Sequence, residues 1–185
     1  MDAHPVVTID VVVDRNTAKD ALRALLHAIL FHRLFGTIRP TSFDVLDITF
    51  PEVDDQSIDD LIRGRVDALF RALDLDKNRR GQLVVTFSEK RPKKSGWFSS
   101  IEVRREEVIW EQWIINVEAR QPKTDPERQA LLRELSDTLS NALRTILEHT
   151  ASDRGRAAVP LITQNSGISP FPFRVVAKLN GAELA

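Results

Sequence analysis

The sequence predicts a two-layer α+β domain, with three amphipathic helices packed on one face of a mixed, mostly antiparallel sheet. Two observations carry this. Several stretches alternate apolar and polar residues as half-buried strands do, while others repeat apolar residues at helical spacing. The two kinds follow one another as strand, helix, strand, helix, strand, strand, helix, strand, with no internal repeat and no linker long enough to divide the chain.

In the first strand Val7, Ile9, Val11 and Val13 alternate with Thr8, Asp10 and Val12, and Asp14-Arg15-Asn16 ends it. Asn16 or Thr17 then caps a helix running to about Phe35, with Gly36 as its stop. Leu22, Leu25, Leu26 and Ile29 form its core stripe. Ala21, Ala24, Ala28, Leu30 and Phe31 leave little polar surface, so this helix is expected to be buried on more than one side. A second strand is expected at about Phe43 to Phe50, stopped by Pro51, which cannot donate to a ladder.

Asp54, Asp55 or Ser57 opens the next helix, whose apolar set is Ile58, Leu61, Ile62, Val66, Leu69 and Leu73. The strand from Gln82 to Lys90 turns Leu83, Val85 and Phe87 to one side. Its expected hairpin partner carries Trp113, Ile115, Val117 and Ala119 on one face. Pro122 and Thr124-Asp125-Pro126-Glu127 open the longest helix, which runs to about Thr150. Its apolar face is read as Leu132, Leu135, Leu139, Ala142, Leu143, Ile146 and Leu147, with Arg133, Asp137, Ser140 and Arg144 nearly opposite. A loop over about 152–169 leads to a last strand through Phe171, Phe173, Val175, Ala177 and Leu179.

A chain of 185 residues fits one domain, 1–185, and at that size buries roughly 70% of its unfolded surface without staples. The absence of cysteine excludes disulfides, thiolate metal sites and cysteine nucleophiles, and agrees with a cytoplasmic setting. With 26 Lys plus Arg against 27 Asp plus Glu, no global field attracts nucleic acid or anionic lipid. Apolar runs fall short of the roughly 20 residues a membrane span needs. The start, MDAHPVVTIDV, does not read as a signal peptide, so a soluble, untargeted protein is expected.

Catalysis is not expected either. His27 and His32 lie five residues apart on one helix, about 140° around it, whereas a two-histidine metal face needs a spacing of three or four. His4 and His149 join no ligand pattern. Asp54-Asp55 and Asp59-Asp60 sit where capping and the helix dipole account for them. No glycine-rich phosphate loop, nucleophile elbow or nucleotide fingerprint occurs, and no cofactor, metal or nucleic acid is expected.

The residues that fit no element are Trp97 and Phe98, in an exposed loop at about 91–107, after Lys93-Lys94-Ser95-Gly96. They either fold back into a satellite cluster or project as a finger that anchors in a partner's pocket. Lys90, Arg91, Lys93 and Lys94 rim this loop. They serve as a solubilising edge or, beside two rings, as a weak and reversible membrane contact.

The stretches ALRALLHAILFHR, DVLDITF and GQLVVTF, the basic loop with Trp97-Phe98, the strand WEQW, and PFPFRVVAKL follow one another over nearly the whole chain. Together they resemble the autophagy-related protein 101 family. The resemblance implies a single HORMA domain without catalytic activity. It implies a scaffold subunit of the autophagy-initiating kinase complex, in the cytoplasm and at the preautophagosomal structure. Such a subunit pairs with and stabilises the HORMA domain of autophagy-related protein 13, and recruits downstream autophagy factors through the Trp97-Phe98 finger. By analogy with dimers of related folds, Arg133, Asp137, Ser140 and Arg144 are the candidate pairing face. The alternatives are a peptide-trapping HORMA adaptor of the checkpoint type and a peripheral lipid-binding module that uses the basic aromatic loop.

Overall fold

In the computed structural model, which describes residues 3–73, 80–93, 105–164 and 167–185, the chain runs through β1 (Val6–Val13), α1 (Ala18–Arg33), β2 (Pro40–Val45), β3 (Ile48–Val53), α2 (Gln56–Ala72), β4 (Arg80–Pro92), β5 (Arg105–Ala119), α3 (Asp125–Ala151), α4 (Asp153–Ala158), β6 (Phe173–Leu179) and β7 (Ala182–Glu183). Five strands form one sheet in the order β1-β5-β4-β6-β7, and β2 and β3 pair separately. Only the β1–β5 pairing is parallel, so the sheet is mixed and mostly antiparallel as expected. Among the described residues there are four helices rather than three.

The core lies between the sheet and the helices. Ile9, Val11 and Val13 of β1 stand in register with Ile115, Val117 and Ala119 of β5, and all six are buried. Packing of α2 against β6 and β4, and of α3 against β1, leaves α1 between the two helices. Its nearly unbroken apolar surface is needed because it is covered twice. Arg23 and His27 meet β3 on one side, while Arg33 meets β5 on the other.

Thr17 occupies the N-cap of α1, but its hydroxyl does not cap the helix. Instead Asp14 Oδ1 accepts from the Asn16 and Thr17 amides at 2.9 and 2.8 Å and from Thr17 Oγ1 at 2.7 Å. At the other end the left-handed residue is Phe35 (φ 56°), not Gly36. Gly36 is required for a different reason, since a Cβ there would lie 2.1 Å from the Ile168 carbonyl oxygen. The Thr37 amide donates to the Gly167 carbonyl beside it, at 2.9 Å.

The expected single strand at 43–50 is a hairpin: Val45 pairs with Ile48, and Leu46 (φ 56°) makes the turn. Pro51 does not stop the chain but sits within β3 opposite Ser42. In a two-stranded ribbon each strand has an edge that asks for no amide. The caps fall as expected for α2, where the Asp55 carboxylate accepts from Ile58 N at 3.1 Å, and for α3, where Thr124 Oγ1 accepts from Glu127 N at 3.3 Å.

The apolar face of α3 is rotated slightly from the expected one. Leu131 is buried with Leu135, Leu139, Ala142 and Ile146, while Leu147 stays 46% exposed. Within the expected loop at 152–169, Ser152 Oγ accepts from Gly155 N at 3.0 Å and starts α4. Past β6, Asn180 and Gly181 adopt φ of 50° and 81° and fold β7 back onto Leu179. That is the Asn-Gly signature of a tight hairpin.

One irregularity shapes the centre of the sheet. Regular pairing along β4 and β5 puts Phe87 opposite Glu111, but the next pair is Ser88 with Ile109, so Trp110 is an extra residue in a β-bulge. A plain strand would send residues 110 and 113 to opposite faces. The bulge lets Trp110 (5% exposed), Glu111 and Trp113 (both 0%) all be buried.

Candidate functional site

The β4–β5 hairpin outruns the sheet. β6 pairs with β4 only over Gln82–Phe87, whereas β5 accompanies it to the Pro92–Arg105 pair. The result is a two-stranded arm, which narrows the exposed loop expected at about 91–107. Lys90, Arg91 and Lys93 are exposed there. Arg91 pairs with Glu89, and the facing strand answers the basic rim with Glu106 opposite Arg91 and Glu107 opposite Lys90. Lys94, Trp97 and Phe98 lie outside the described residues.

Arg133, Asp137, Ser140 and Arg144 all lie exposed on α3. Arg133 Nε donates to the Gln129 carbonyl at 3.3 Å and Arg144 to the Asn141 side chain, both within the same helix. The four side chains share one accessible stripe.

Two titratable clusters are internal. Glu111 receives Arg33 in a two-pronged pair, Nε to Oε2 at 2.7 Å and Nη2 to Oε1 at 2.8 Å. Trp113 Nε1 donates to Oε2 at 2.8 Å, and His149 Nε2 lies 2.6 Å from Oε1. The second Arg33 prong also reaches the Gly155 carbonyl at 3.0 Å, so α1, β5, α3 and α4 meet at one carboxylate.

The other cluster brings His27, Glu52 and Asp59 together, with one ligand atom from each within 4.8 Å of the others. Its chemistry disfavours a metal. The Val53 amide donates to His27 Nδ1 at 3.3 Å, which puts the proton of the neutral ring on Nε2, the nitrogen that faces the carboxylates. Arg23 already pairs with both Glu52 and Asp59, and Arg63 pairs with Asp59 at 2.6 Å. Burial, and then the charge of Arg23, lower the His27 pKa to about 4, so the ring is neutral near pH 7. His32 is lowered as well, by burial and by Arg33. Sequence reasoning set both histidines aside. The missed signals were polar residues at apolar positions: Glu111 in phase with Trp113 and Ile115, and Arg33 and His27 within the apolar helix.

Among the described residues, charge lies exposed on the arm and along α3, while Glu111, Arg33, Glu52 and Asp59 are tied to internal partners. The family model described as Autophagy-related protein 101 matches residues 10–166. Proteins of that description are similar to this chain: one from Arabidopsis thaliana is 25% identical, covering 85% of this chain and 79% of its own length. Another, from Schizosaccharomyces pombe, is 28% identical over 92% and 85% of the two chains. The Homo sapiens protein is 26% identical over 76% and 69%. The chain belongs to the autophagy-related protein 101 family, which places its role in autophagy and is not a known catalytic family. The layered mixed sheet is consistent with a HORMA-type fold. No helix among the described residues is long and apolar enough to cross a membrane.

Proposed function

We propose that this chain is a non-catalytic scaffold of the autophagy-initiating kinase complex, a single HORMA domain working in the cytoplasm and at the preautophagosomal structure. It pairs with and stabilises the HORMA domain of autophagy-related protein 13, and recruits downstream autophagy factors through Trp97 and Phe98. The observation that carries this reading is the arm: β4 and β5 continue as a pair beyond the reach of β6 and lead into the segment holding the two rings. The core faces of both strands are closed before that point, with Leu83, Val85, Phe87, Trp113 and Ile115 all 0% exposed.

Replacing Trp97 and Phe98 by alanine is expected to leave the melting temperature unchanged while recruitment is lost. Each ring buried on binding contributes about 2 kcal/mol, or roughly thirty-fold in affinity. A ring already in the core would instead cost about 3 to 5 kcal/mol of stability. At this chain length even 3 kcal/mol lowers the melting point by roughly 6 to 12 °C, and such a drop would end the finger reading.

Pairing is assigned to the α3 stripe. Reversing Arg133, Asp137 and Arg144 together (R133E, D137K, R144E) removes only intrahelical contacts, so stability should change by less than about 0.5 kcal/mol per site. Co-purification with the partner HORMA domain should fail. Intact pairing would move the interface to another face.

A further inference from the structure

We propose that the outer end of β4 is a strand-addition site for an extended, acidic segment of a partner protein. The ladder between β4 and β6 runs from Gln82 opposite Lys178 to Phe87 opposite Phe173 and ends with the Ser88 amide donating to the Pro172 carbonyl at 3.0 Å. Hydrogen-bonding direction alternates along an antiparallel strand. The main chain of Lys90 therefore faces the same edge as that of Ser88, and continued register would set it against Pro170.

Residues 170 and 172 are both proline, with no N–H to give. The missing donor at Pro172 is visible in its consequence, because the Ser88 carbonyl takes the Trp110 indole N–H instead, at 3.2 Å. Pro170 thus has no N–H to give the Lys90 carbonyl, and among the described residues no strand pairs with β4 on this side beyond Ser88, which leaves the N–H and C=O of Lys90 and the C=O of Pro92 on that edge.

That edge borders a groove of about 560 Å³, lined among others by Lys90, Pro92, Arg105, Leu161, Gln164 and Phe171. Leu161 is 86% exposed beside it and offers apolar cover to an occupant. The charge of the groove selects that occupant. Its one acid, Glu89, is held by Arg91, and the nearby Glu107 accepts from Ser88 Oγ, whereas Lys90 and Arg105 enter no ion pair among the described residues. Two cations outside any ion pair among the described residues, with the Glu107 opposite Lys90 engaged by Ser88, suit an extended peptide with alternating carboxylates, bound by main-chain pairing and charge.

A fluorescein-labelled peptide of four Val-Glu repeats and its Val-Lys counterpart test this on the whole chain by fluorescence polarisation. The Val-Glu peptide should bind more tightly by at least about tenfold, weaken as salt rises, and slow hydrogen exchange at the Lys90 amide. In the double variant K90E/R105E, whose altered residues are exposed and whose melting point should stay put, the preference should invert towards Val-Lys. Failure of the Val-Glu peptide to bind, a preference that survives the charge swap, or protection elsewhere than Lys90 would overturn the proposal. So would self-association through this edge. The same measurement on protein lacking the Trp97 and Phe98 rings should give the same affinity, which separates this site from the finger.

Discussion

Glu111→Ala is expected to destabilise the domain by about 3 to 5 kcal/mol and to lower its melting temperature by roughly 6 to 20 °C, the largest effect of any single substitution considered for this chain. Glu111 is wholly buried and Arg33 is 2% exposed. Removing the carboxylate takes away both prongs of the pair, the acceptor of the Trp113 indole and the neighbour of His149. Arg33 would keep the Gly155 carbonyl and its position over the Phe35 and Trp110 rings, 5.9 and 5.8 Å to their centroids. That is too little to solvate a buried cation.

Most of the loss comes from stranding Arg33, so the double variant R33M/E111L should recover much of it although it removes more polar contacts. Chemical denaturation of the three proteins checks this. A double variant less stable than Glu111→Ala would mean that the pair itself, not the unpaired charge, carries the stability. Because the carboxylate joins α1 to α3 and α4, Glu111→Ala should also loosen the helix that bears Arg133 and Arg144, detectable as faster amide exchange along α3.

Periodicity made most of this fold legible, and its failures share a cause. Leu83, Val85 and Phe87, and then Trp113, Ile115 and Val117, could be assigned to the core because a half-buried strand repeats every two residues. Trp110 could not. It is out of phase with Trp113, and only the pairing partner Ser88 reveals the bulge that turns it inward. The β2–β3 turn was hidden because Leu46-Asp47 lacks the glycine or asparagine that marks tight hairpins, and α4 is too short to show a period. Asn180-Gly181 does carry that mark and could have been read as a turn.

At the candidate sites, exposure of Lys90, Arg91, Lys93 and the α3 stripe followed from pattern. The Glu111 and His27 clusters assemble residues from different elements, and no local spacing announces them. The open edge at Lys90 depends on where β6 stops.

Acid is expected to unfold the domain earlier than its carboxylates alone would dictate. In the folded chain the His27 pKa falls from 6.5 to about 4, through burial first and the Arg23 charge second, with Asp59 pulling the other way. The unfolded chain, with its histidine at the ordinary value, binds more protons between those limits, so stability rises with pH across the window. The stabilising preference for the neutral ring is complete above about pH 6.5 and is lost as pH falls through about 4. The full shift corresponds to about 3 kcal/mol, and solvent screening of the partly exposed Arg23 charge reduces this to about 2 kcal/mol.

A fall in melting temperature of roughly 4 to 8 °C between pH 7 and pH 4 is therefore expected. His32, shifted the same way, adds to it. Asp59 is itself held below its ordinary value of 3.8, so its own contribution is lost as pH falls from about that value through the lowered one, for the most part below this window. Protonation would also place a hydrogen on Nδ1, where the Val53 amide now donates, so charging the ring breaks a main-chain contact to β3 as well. His27→Gln, whose side-chain oxygen can still accept from Val53, should flatten the melting profile between pH 6.5 and 4. If that variant loses stability with acid as steeply as the parent, the sensitivity belongs to other groups.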